Sequence, residues 1–355
     1  MTDHKLPDMQ GPLCPLPYNH YDRIVLGHGS GGTLTSELVE KVFLPYFSNP
    51  ALLAGDDFAD IPGDLSGRLV VSTDAHIVSP LFFPGGDIGR LAVSGTVNDI
   101  AVSGGTPLCL TASFILEEGL KISDLEKIVR SMAETAFEAG VPIVAGDTKV
   151  VERGKADGIF ISTTGVASVQ EGLAISGANA HPGDAVLISG TLGDHGMAVL
   201  TARGELGLAA DICSDVAPLN HLIKKITEVT QEIHVLRDPT RGGVATTLNE
   251  IAQQSKVGIT IFEDQIPVQP SVSSACELLG FDPLYVANEG KIIVILPDFL
   301  SLKVLNVMRH DDHGKKACLI GRVQRDSPGS VLLRTRIGGT RLLGKLSGEL
   351  LPRIC

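Results

Sequence analysis

The sequence predicts an α+β protein with two mixed α/β domains and a flexible C-terminal arm. The chain has 355 residues, more than one compact domain usually holds. Apolar runs typical of strands alternate with helical patterns in both halves, and the pattern restarts near residues 171–182. We therefore expect four parts: a loose extension at 1–21, a first domain at 22–175, a second domain at 176–335, and a flexible arm at 336–355.

The composition excludes several classes of protein. Hydrophobic residues make up 43% of the chain, which is enough for a core. A net charge of −12 disfavours nucleic acid and anionic membranes as partners, and the absence of Trp disfavours base stacking. The six cysteines form no CxxC pair, and neither a signal peptide nor an apolar run long enough to span a membrane is visible. We expect a cytoplasmic protein.

A glycine-rich turn at residues 28–33 precedes a helical pattern. Such a turn can present backbone N–H groups to phosphate, although an ordinary flexible turn fits the same residues. The candidate phosphate contacts are Gly29, Gly31 and Gly32. The remaining candidate, His28, either contacts phosphate or caps the loop.

Carboxylates recur at the ends of the predicted strands of the first half. These residues are Asp56, Asp57, Asp74 and Asp147. A further carboxylate, Asp99, follows Asn98 in an otherwise apolar helix predicted over 88–103. Each residue alone fits a turn or a helix cap, but strand ends are where α/β folds collect metal ligands. The repeated context favours a shared site.

An ordinary amphipathic helix is predicted over 123–139. Ser123 and Glu126 have the spacing of a capping box, and Gly140 fits the residue after the helix. We expect this helix to cover one face of a sheet. The strands of that sheet are predicted near 69–73, 111–116, 143–145 and 159–166.

The second half carries two further candidate loops. In the first, Asp238 and Thr240 precede the paired glycines Gly242 and Gly243, which open a predicted helix. A helix N-terminus of this kind suits an oxyanion or a phosphate. In the second, Glu289 lies in an Asn-Glu-Gly-Lys segment just before an apolar strand.

The carboxylates and the glycine loops together favour an ATP-dependent enzyme. Carboxylate oxygens suit Mg²⁺, which usually bridges carboxylates to nucleotide phosphates. The chain has no GxxxxGK[ST] loop, GxSxG elbow or HExxH helix. Any ATP site is therefore not of the P-loop type.

A set of motifs then resembles a known family. In order, they are His28-Gly29-Ser30-Gly31-Gly32, Gly55-Asp56-Asp57, Ser72-Thr73-Asp74, Val97-Asn98-Asp99-Ile100-Ala101, Gly146-Asp147-Thr148-Lys149, Asp238-Pro239-Thr240-Arg241-Gly242-Gly243, Asn288-Glu289-Gly290-Lys291 and Pro352-Arg353-Ile354-Cys355. Together they resemble the HypE family of carbamoyl dehydratases, from about residue 22 to the last residue. The Asp motifs are shared with aminoimidazole ribonucleotide synthetase, selenophosphate synthetase and thiamine-phosphate kinase. The terminal Pro-Arg-Ile-Cys is specific to the HypE branch.

The resemblance implies domains of the aminoimidazole ribonucleotide synthetase-like type, ATP and Mg²⁺ as cofactors, and a homodimer in which the ATP-binding first domains share a barrel. It further implies [NiFe]-hydrogenase maturation. The carbamoyltransferase HypF would load a carbamoyl group onto Cys355. This protein would dehydrate that group with ATP to an S-cyanide, and the cyanide would pass to iron held by a HypC–HypD complex.

Site residues follow from the matching motifs. The resemblance implies metal or phosphate contacts at Asp56, Asp74, Asp99 and Asp238, with Asp57 set apart because only one of an adjacent pair need face the site. It implies nucleotide contacts at Asp147, at Thr240, Gly242 and Gly243, and at the glycine loop. Lys149 and Glu289 are candidates for steering the carboxamide and removing its proton. Alternatively, Lys149 is an ordinary surface charge and Glu289 is an ordinary turn residue.

Three other functions fit part of the pattern. Thiamine-phosphate kinase shares the Asp motifs but has no use for a terminal cysteine. Selenophosphate synthetase would need a Cys or selenocysteine in its glycine loop, whereas Cys14 lies upstream of that loop here. A non-catalytic carrier of modified Cys355 is the third.

Overall fold

The computed structural model describes residues 22–54, 59–63, 65–204, 211–346 and 353–354. Predictions for 1–21, Asp56, Asp57 and Cys355 lie outside these residues. Within the described part, no helix has both the length and the apolar character needed to cross a membrane.

The first domain is a four-stranded sheet with helices on one face. Its elements are α1 (Thr33–Leu38), α2 (Leu44–Phe47), α3 (Pro50–Ala54), β1 (Arg68–His76), β2 (Phe82–Phe83), β3 (Gly86–Asp87), α4 (Ile88–Ala101), β4 (Thr106–Glu117), α5 (Ile122–Ala139), β5 (Ile143–Val151) and β6 (Ile159–Val169). The strand order is β1-β6-β4-β5, with β4 and β5 parallel and the other pairs antiparallel. Helix α4 packs on this sheet and against α5, and a continuous apolar core lies between them.

The other face of this sheet is open within the chain. Side chains alternate along β1, so that Ser72, Asp74 and His76 face the helices. Leu69 and Val71, which precede them on β1, point outward, and Val71 is 70% exposed. Ile115 of β4 is exposed as well. A sheet face that presents aliphatic side chains to solvent is suited to packing against another surface.

The second domain is built on a seven-stranded sheet. Its elements are β7 (Asp184–Ile188), α6 (Asp194–Ala202), α7 (Asn220–Val229), β8 (Val235–Arg237), α8 (Gly243–Ser255), β9 (Gly258–Phe262), α9 (Pro270–Leu279), β10 (Ile293–Pro297), α10 (Asp298–Arg309), β11 (Cys318–Gln324), β12 (Val331–Arg334) and β13 (Thr340–Leu343). The order is β13-β12-β9-β11-β7-β10-β8. Every residue of β7 is buried, because α8 covers one face of the sheet and α7 and α10 cover the other.

The structure corrects the start of the predicted arm. Residues Thr340–Leu343, placed in the arm at 336–355, instead form β13 and pair with β12. The Leu343 side chain is fully buried, and its carbonyl accepts a hydrogen bond from the Asn249 side-chain amide at 2.8 Å. Burial of this side chain and pairing of the backbone hold the segment in the sheet.

One predicted helix start was also wrong. Ser123 and Glu126 form no capping box, because α5 already begins at Ile122 and its N-cap residue, Lys121, makes no side-chain cap. The other end agrees with the sequence. Gly140 ends α5 in the left-handed region at φ 70°, which glycine adopts without strain.

Asn98 of α4 joins the two domains. Its side-chain amide is buried and donates to the carbonyls of Ala217 (3.0 Å) and Glu289 (3.4 Å). Its side-chain oxygen accepts the Leu219 N–H at 2.7 Å. One residue of the first domain thus satisfies backbone groups in two loops of the second.

Replacing Asn98 with Ala should destabilise the protein by about 2–4 kcal/mol, because buried backbone groups would lose their partners. Chemical denaturation with wild type as reference measures this. Asn306→Ala, at an exposed position on α10, is the matched control and should stay within about 0.5 kcal/mol of wild type. An equal effect of the two substitutions would contradict the role of Asn98 as the interdomain joint.

Candidate active site between the two domains

Four carboxylates converge where the domains meet. Asp74 lies near the end of β1 and Asp99 on α4, both in the first domain. From the second domain, Asp238 directly follows β8 and Glu289 lies before β10. Asp99 and Asp74 act electrostatically on Asp238, and all three act on Glu289. The structure therefore brings together Asp74, Asp99 and Asp238, which the sequence proposed as metal ligands.

Short contacts fix the first-domain half of this cluster. Ser72 donates its hydroxyl to Asp99 Oδ2 at 2.8 Å. The buried His76 ring has Nε2 at 3.8 Å from Asp74 Oδ2. Gly95 lets α4 approach β1 here, because a Cβ at this position would lie 2.9 Å from His76 Cε1. A side chain at position 95 would push Asp74 and Asp99 apart.

The loop that carries Glu289 is held on both sides. The neighbouring Asn288 accepts the Gly193 N–H at 2.8 Å and donates to the Pro239 carbonyl at 2.9 Å. The backbone N–H of Glu289 donates to Asp215 at 3.2 Å. The same Asp215 carboxylate forms a buried ion pair with Lys291 at 2.9 Å. Sequence reasoning missed this pair; its only signal was Lys291 at the end of the Asn-Glu-Gly-Lys segment.

Burial and mutual repulsion disfavour the ionised forms of the carboxylates in this cluster. Burial, reinforced by the neighbouring carboxylates, raises the pKa of Asp238 to about 7. The same causes raise the pKa of Asp99 and hold that of Glu289 well above its ordinary value. In addition, the buried Glu289 Oε1 has no hydrogen-bond partner among the described residues. Hard oxygen donors that repel one another, with one oxygen that has no partner among the described residues, fit a divalent cation such as Mg²⁺.

The turn after Asp238 needs its glycines. Gly242 and Gly243 have φ of 82° and 61°. A Cβ on Gly243 would lie 2.5 Å from the Leu284 carbonyl oxygen. The Gly243 N–H closes the turn on the Thr240 carbonyl at 3.0 Å. This geometry starts α8 five positions after Asp238, and no side chain caps its first turn.

The N-terminal glycine loop borders a separate cavity of about 210 Å³. Gly29 and Gly31 line one side, and residues 145–149 of β5 line another, so the predicted nucleotide contacts Gly29, Gly31 and Asp147 lie together. Phe43, Phe47 and Phe114 supply an apolar wall. The cavity has the character of a site for a flat, mostly apolar group.

Two other predicted contacts in this loop, Gly32 and His28, have structural roles. Gly32 is the N-cap residue of α1. His28 is buried, and its Nδ1 accepts the Val25 N–H at 3.0 Å, which is the loop-capping arrangement. Burial lowers the pKa of His28 and favours the neutral ring.

Lys149 does not reach the carboxylate cluster of its own chain. Its Nζ binds both oxygens of Asp147 at 2.7 Å, and this pair holds the pKa of Asp147 below its ordinary value. The register aligns Lys149 with Ile115 on the open face of the sheet, whereas Asp74 faces α4. Two strands separate β5 from β1, a distance of about 14 Å. Lys149 and Glu289 therefore lie apart within one chain.

The end of the chain returns to the body of the protein beside the cluster. Ile354 is buried and pairs with Val78 as an isolated bridge. The fully buried His195 has Nε2 at 2.7 Å from the Ile354 carbonyl oxygen, and burial lowers its pKa. A neutral ring that donates from Nε2 can accept the Ser214 hydroxyl at Nδ1, which lies 2.8 Å away.

A second group of contacts holds Arg353. Its carbonyl accepts hydrogen bonds from the Ser79 N–H at 3.2 Å and from the Arg203 guanidinium at 3.0 Å. Its own guanidinium pairs with Asp157 at 2.9 Å on the surface. The predicted arm is thus anchored at its last described residues, directly before Cys355.

Comparison with known proteins agrees with this architecture. Residues 55–169 match the N-terminal domain of AIR synthase related proteins, and residues 181–334 match their C-terminal domain. The thiamine monophosphate kinase of Aquifex aeolicus is 21% identical with a TM-score of 0.56, over 84% of this chain and 96% of the other, which shows a common fold.

Several more similar relatives are named carbamoyl dehydratase HypE. The carbamoyl dehydratase HypE of Cupriavidus necator is 54% identical over 333 residues, 94% of this chain and 95% of the relative. That of Escherichia coli is 43% identical over 94% of this chain and the whole relative. A HypE solved in complex with ATP is 50% identical with a TM-score of 0.89, over 93% of this chain and 99% of the other. A chain of a solved HypE–HypF complex is 52% identical with a TM-score of 0.77, over 87% of this chain and 99% of the other. The chain therefore belongs to the AIR synthase related family and, within it, to the HypE carbamoyl dehydratases.

Proposed function

We propose that this protein uses ATP to dehydrate an S-carbamoyl group on its own Cys355 to an S-cyanide, which supplies cyanide ligands for hydrogenase iron. The observation that carries this proposal is the anchored chain end. From the Ile354 carbonyl the contacts run through His195 to Ser214, and the next residue, Asp215, binds the backbone of Glu289. Cys355 directly follows Ile354 in the sequence, and we propose that its thiol reaches the carboxylate cluster during the reaction.

The site residues divide between ATP and its metal ion. The cavity by the glycine loop suits the adenine base, since three phenylalanines form its wall. Asp74, Asp99 and Asp238 would hold Mg²⁺, together with Asp56 from outside the described residues. The bound metal would neutralise charge on the triphosphate during transfer. ATP in the solved relative supports the nucleotide half of this proposal.

The reaction removes one oxygen and two protons from the carbamoyl group. The carbamoyl oxygen attacks the γ-phosphorus of ATP, the bond to the ADP oxygen breaks, and an O-phosphorylated imidate forms. Loss of the two protons on nitrogen and departure of phosphate then leave a C≡N triple bond on sulfur. One proton stays on phosphate and the other reaches solvent. ATP is needed because a carbonyl oxygen leaves readily only as phosphate.

Glu289 would take a nitrogen proton. Its pKa is raised by burial and by Asp238 and the other carboxylates around it. Cations bound by those carboxylates would offset this repulsion and lower the pKa of Glu289, which favours the ionised form that a general base needs. The Asn98 and Asp215 contacts fix the backbone of Glu289 while leaving its Oε1 free of partners among the described residues.

We propose a homodimer that packs through the open face of the first sheet. Leu69, Val71 and Ile115 form an apolar surface there, and two such sheets packed face to face would bury it. Lys149 extends from the same face, so its part in steering the carboxamide requires the dimer. Sedimentation equilibrium should give twice the mass of one chain. A monomer at micromolar concentration would contradict this assembly.

Two partners complete the cycle. HypF would deliver the carbamoyl group, in line with the HypE–HypF complex of the solved relative. A HypC–HypD complex holding iron would accept the cyanide. Both must reach Cys355, so the contacts at Arg353 and Ile354 must open during each cycle. The exposed Asp157–Arg353 pair costs little to break.

The main rival to this proposal is a non-catalytic carrier of carbamoylated Cys355. The carboxylate cluster is evidence against such a carrier. Buried carboxylates that repel one another destabilise a protein, and a carrier does not need them.

Mass spectrometry of the carbamoylated protein tests the proposal. With ATP and Mg²⁺, the modified Cys355 should lose the mass of one water. Glu289→Gln and Asp74→Asn should still be loaded by HypF but should dehydrate at least about 100-fold more slowly, because each removes a group that acts on the transition state. Chelation of Mg²⁺ should stop the reaction in wild type.

Two control variants accompany this experiment. Cys355→Ser should prevent loading, whereas Asp157→Asn should leave both steps within about twofold, since it removes only an exposed ion pair. Carbamoyl that persists in wild type with ATP and Mg²⁺ would favour the carrier instead.

A further inference from the structure

We infer that His181, Asp184 and His234 form a binding site for a divalent transition-metal ion of the zinc class. One ligand atom from each of these residues lies within 4.8 Å of the other two. The site is separate from the carboxylate cluster. His234 precedes β8 and Asp238 follows it, so the two sites lie at opposite ends of that strand.

The spacing of the two rings matches two ligands of one ion. His181 Nδ1 lies 3.4 Å from His234 Nδ1. Two imidazole nitrogens bound to a tetrahedral ion at 2.0–2.1 Å lie about 3.3–3.4 Å apart. The distance from His234 Nδ1 to Asp184 Oδ2 is 2.7 Å, the length of a hydrogen bond with one proton between the two atoms. Replacing that proton with an ion requires the carboxylate to withdraw by about half an ångström, a movement within reach of side-chain rotation.

The hydrogen-bond count also points to a cation. The His234 Nδ1–H can donate to Asp184, which leaves the His181 Nδ1 lone pair directed at the same proton from 3.4 Å. The two ring nitrogens thus share one proton, and Asp184 Oδ2 accepts the His181 backbone N–H as well, at 2.7 Å. A metal ion satisfies all three, because it takes a lone pair from each ring and charge from the carboxylate.

The backbone around the ligands is fixed before any ion binds. Asp184 is the first residue of β7, and its carboxylate accepts the His181 N–H at 2.7 Å. His234 donates its N–H to the Ile295 carbonyl at 3.0 Å, and its own carbonyl accepts the Ser176 N–H at 3.1 Å. Asp184 is buried, His234 partly buried and His181 exposed. The site is preorganised and open on one side for a water or a fourth ligand.

The donor set selects the class of ion. Two imidazoles and one carboxylate favour Zn²⁺, Ni²⁺ or Cu²⁺ over Mg²⁺, which prefers oxygen ligands alone. Through His181, a bound ion would connect the turn before β7 to His234 at the edge of the second sheet.

Titration of the full-length, metal-stripped protein with Zn²⁺ in competition with a chromogenic chelator tests this site. Wild type should bind one Zn²⁺ per chain here, and excess Mg²⁺ should not displace it. His181→Ala and His234→Ala should each weaken binding at least about tenfold. His310→Ala, which replaces the exposed histidine at the C-cap of α10, is the matched control and should bind as wild type does.

Cobalt distinguishes this site from the thiols. Co²⁺ bound here should give d–d absorption without a thiolate charge-transfer band, and the His181→Ala/His234→Ala variant should lose it. Melting curves without metal check that the variants are folded, and Zn²⁺ should raise the melting temperature of wild type only. Equal Zn²⁺ affinity of wild type and the double variant, no binding to wild type, or a thiolate band lost on alkylation of cysteines would each overturn the site.

Discussion

The architecture depends on one buried side-chain amide. Asn98 sits in an apolar helix of the first domain and satisfies the backbone of two loops of the second. The next residue is Asp99, and one of the carbonyls that Asn98 holds belongs to Glu289. The same contact that joins the domains therefore sets the spacing between carboxylates from different halves of the chain. Without it, the cluster would be two unrelated pairs of acids.

Electrostatic repulsion within that cluster links structure to chemistry. Burial and mutual repulsion raise the pKa of Asp238 to about 7 and that of Glu289 well above its ordinary value. A group of acids in this state has a high affinity for whatever supplies positive charge. Bound metal ions would do so, and their charge would favour the ionised form of Glu289. The repulsion among these carboxylates therefore favours the binding of cations.

The sequence predicted local features better than distant ones. The paired glycines at 242–243 and the acids at strand ends were readable because each reflects a backbone requirement of its own segment. The Asp215–Lys291 pair was not, because its partners lie 76 positions apart. The outward direction of Lys149 depends on strand register, which no local pattern fixes. The arm was expected to begin too early, because glycines outweighed a single buried leucine, Leu343, in the pattern.

Isotope transfer tests the central claim most directly. Carbamoyl labelled with ¹⁸O on its carbonyl is loaded onto Cys355, and the protein then turns over once with ATP. If the carbamoyl oxygen attacks the γ-phosphate, the inorganic phosphate released should carry one ¹⁸O atom for each cyanide formed. Unlabelled phosphate, with the label in water or retained on the cysteine, would contradict the account.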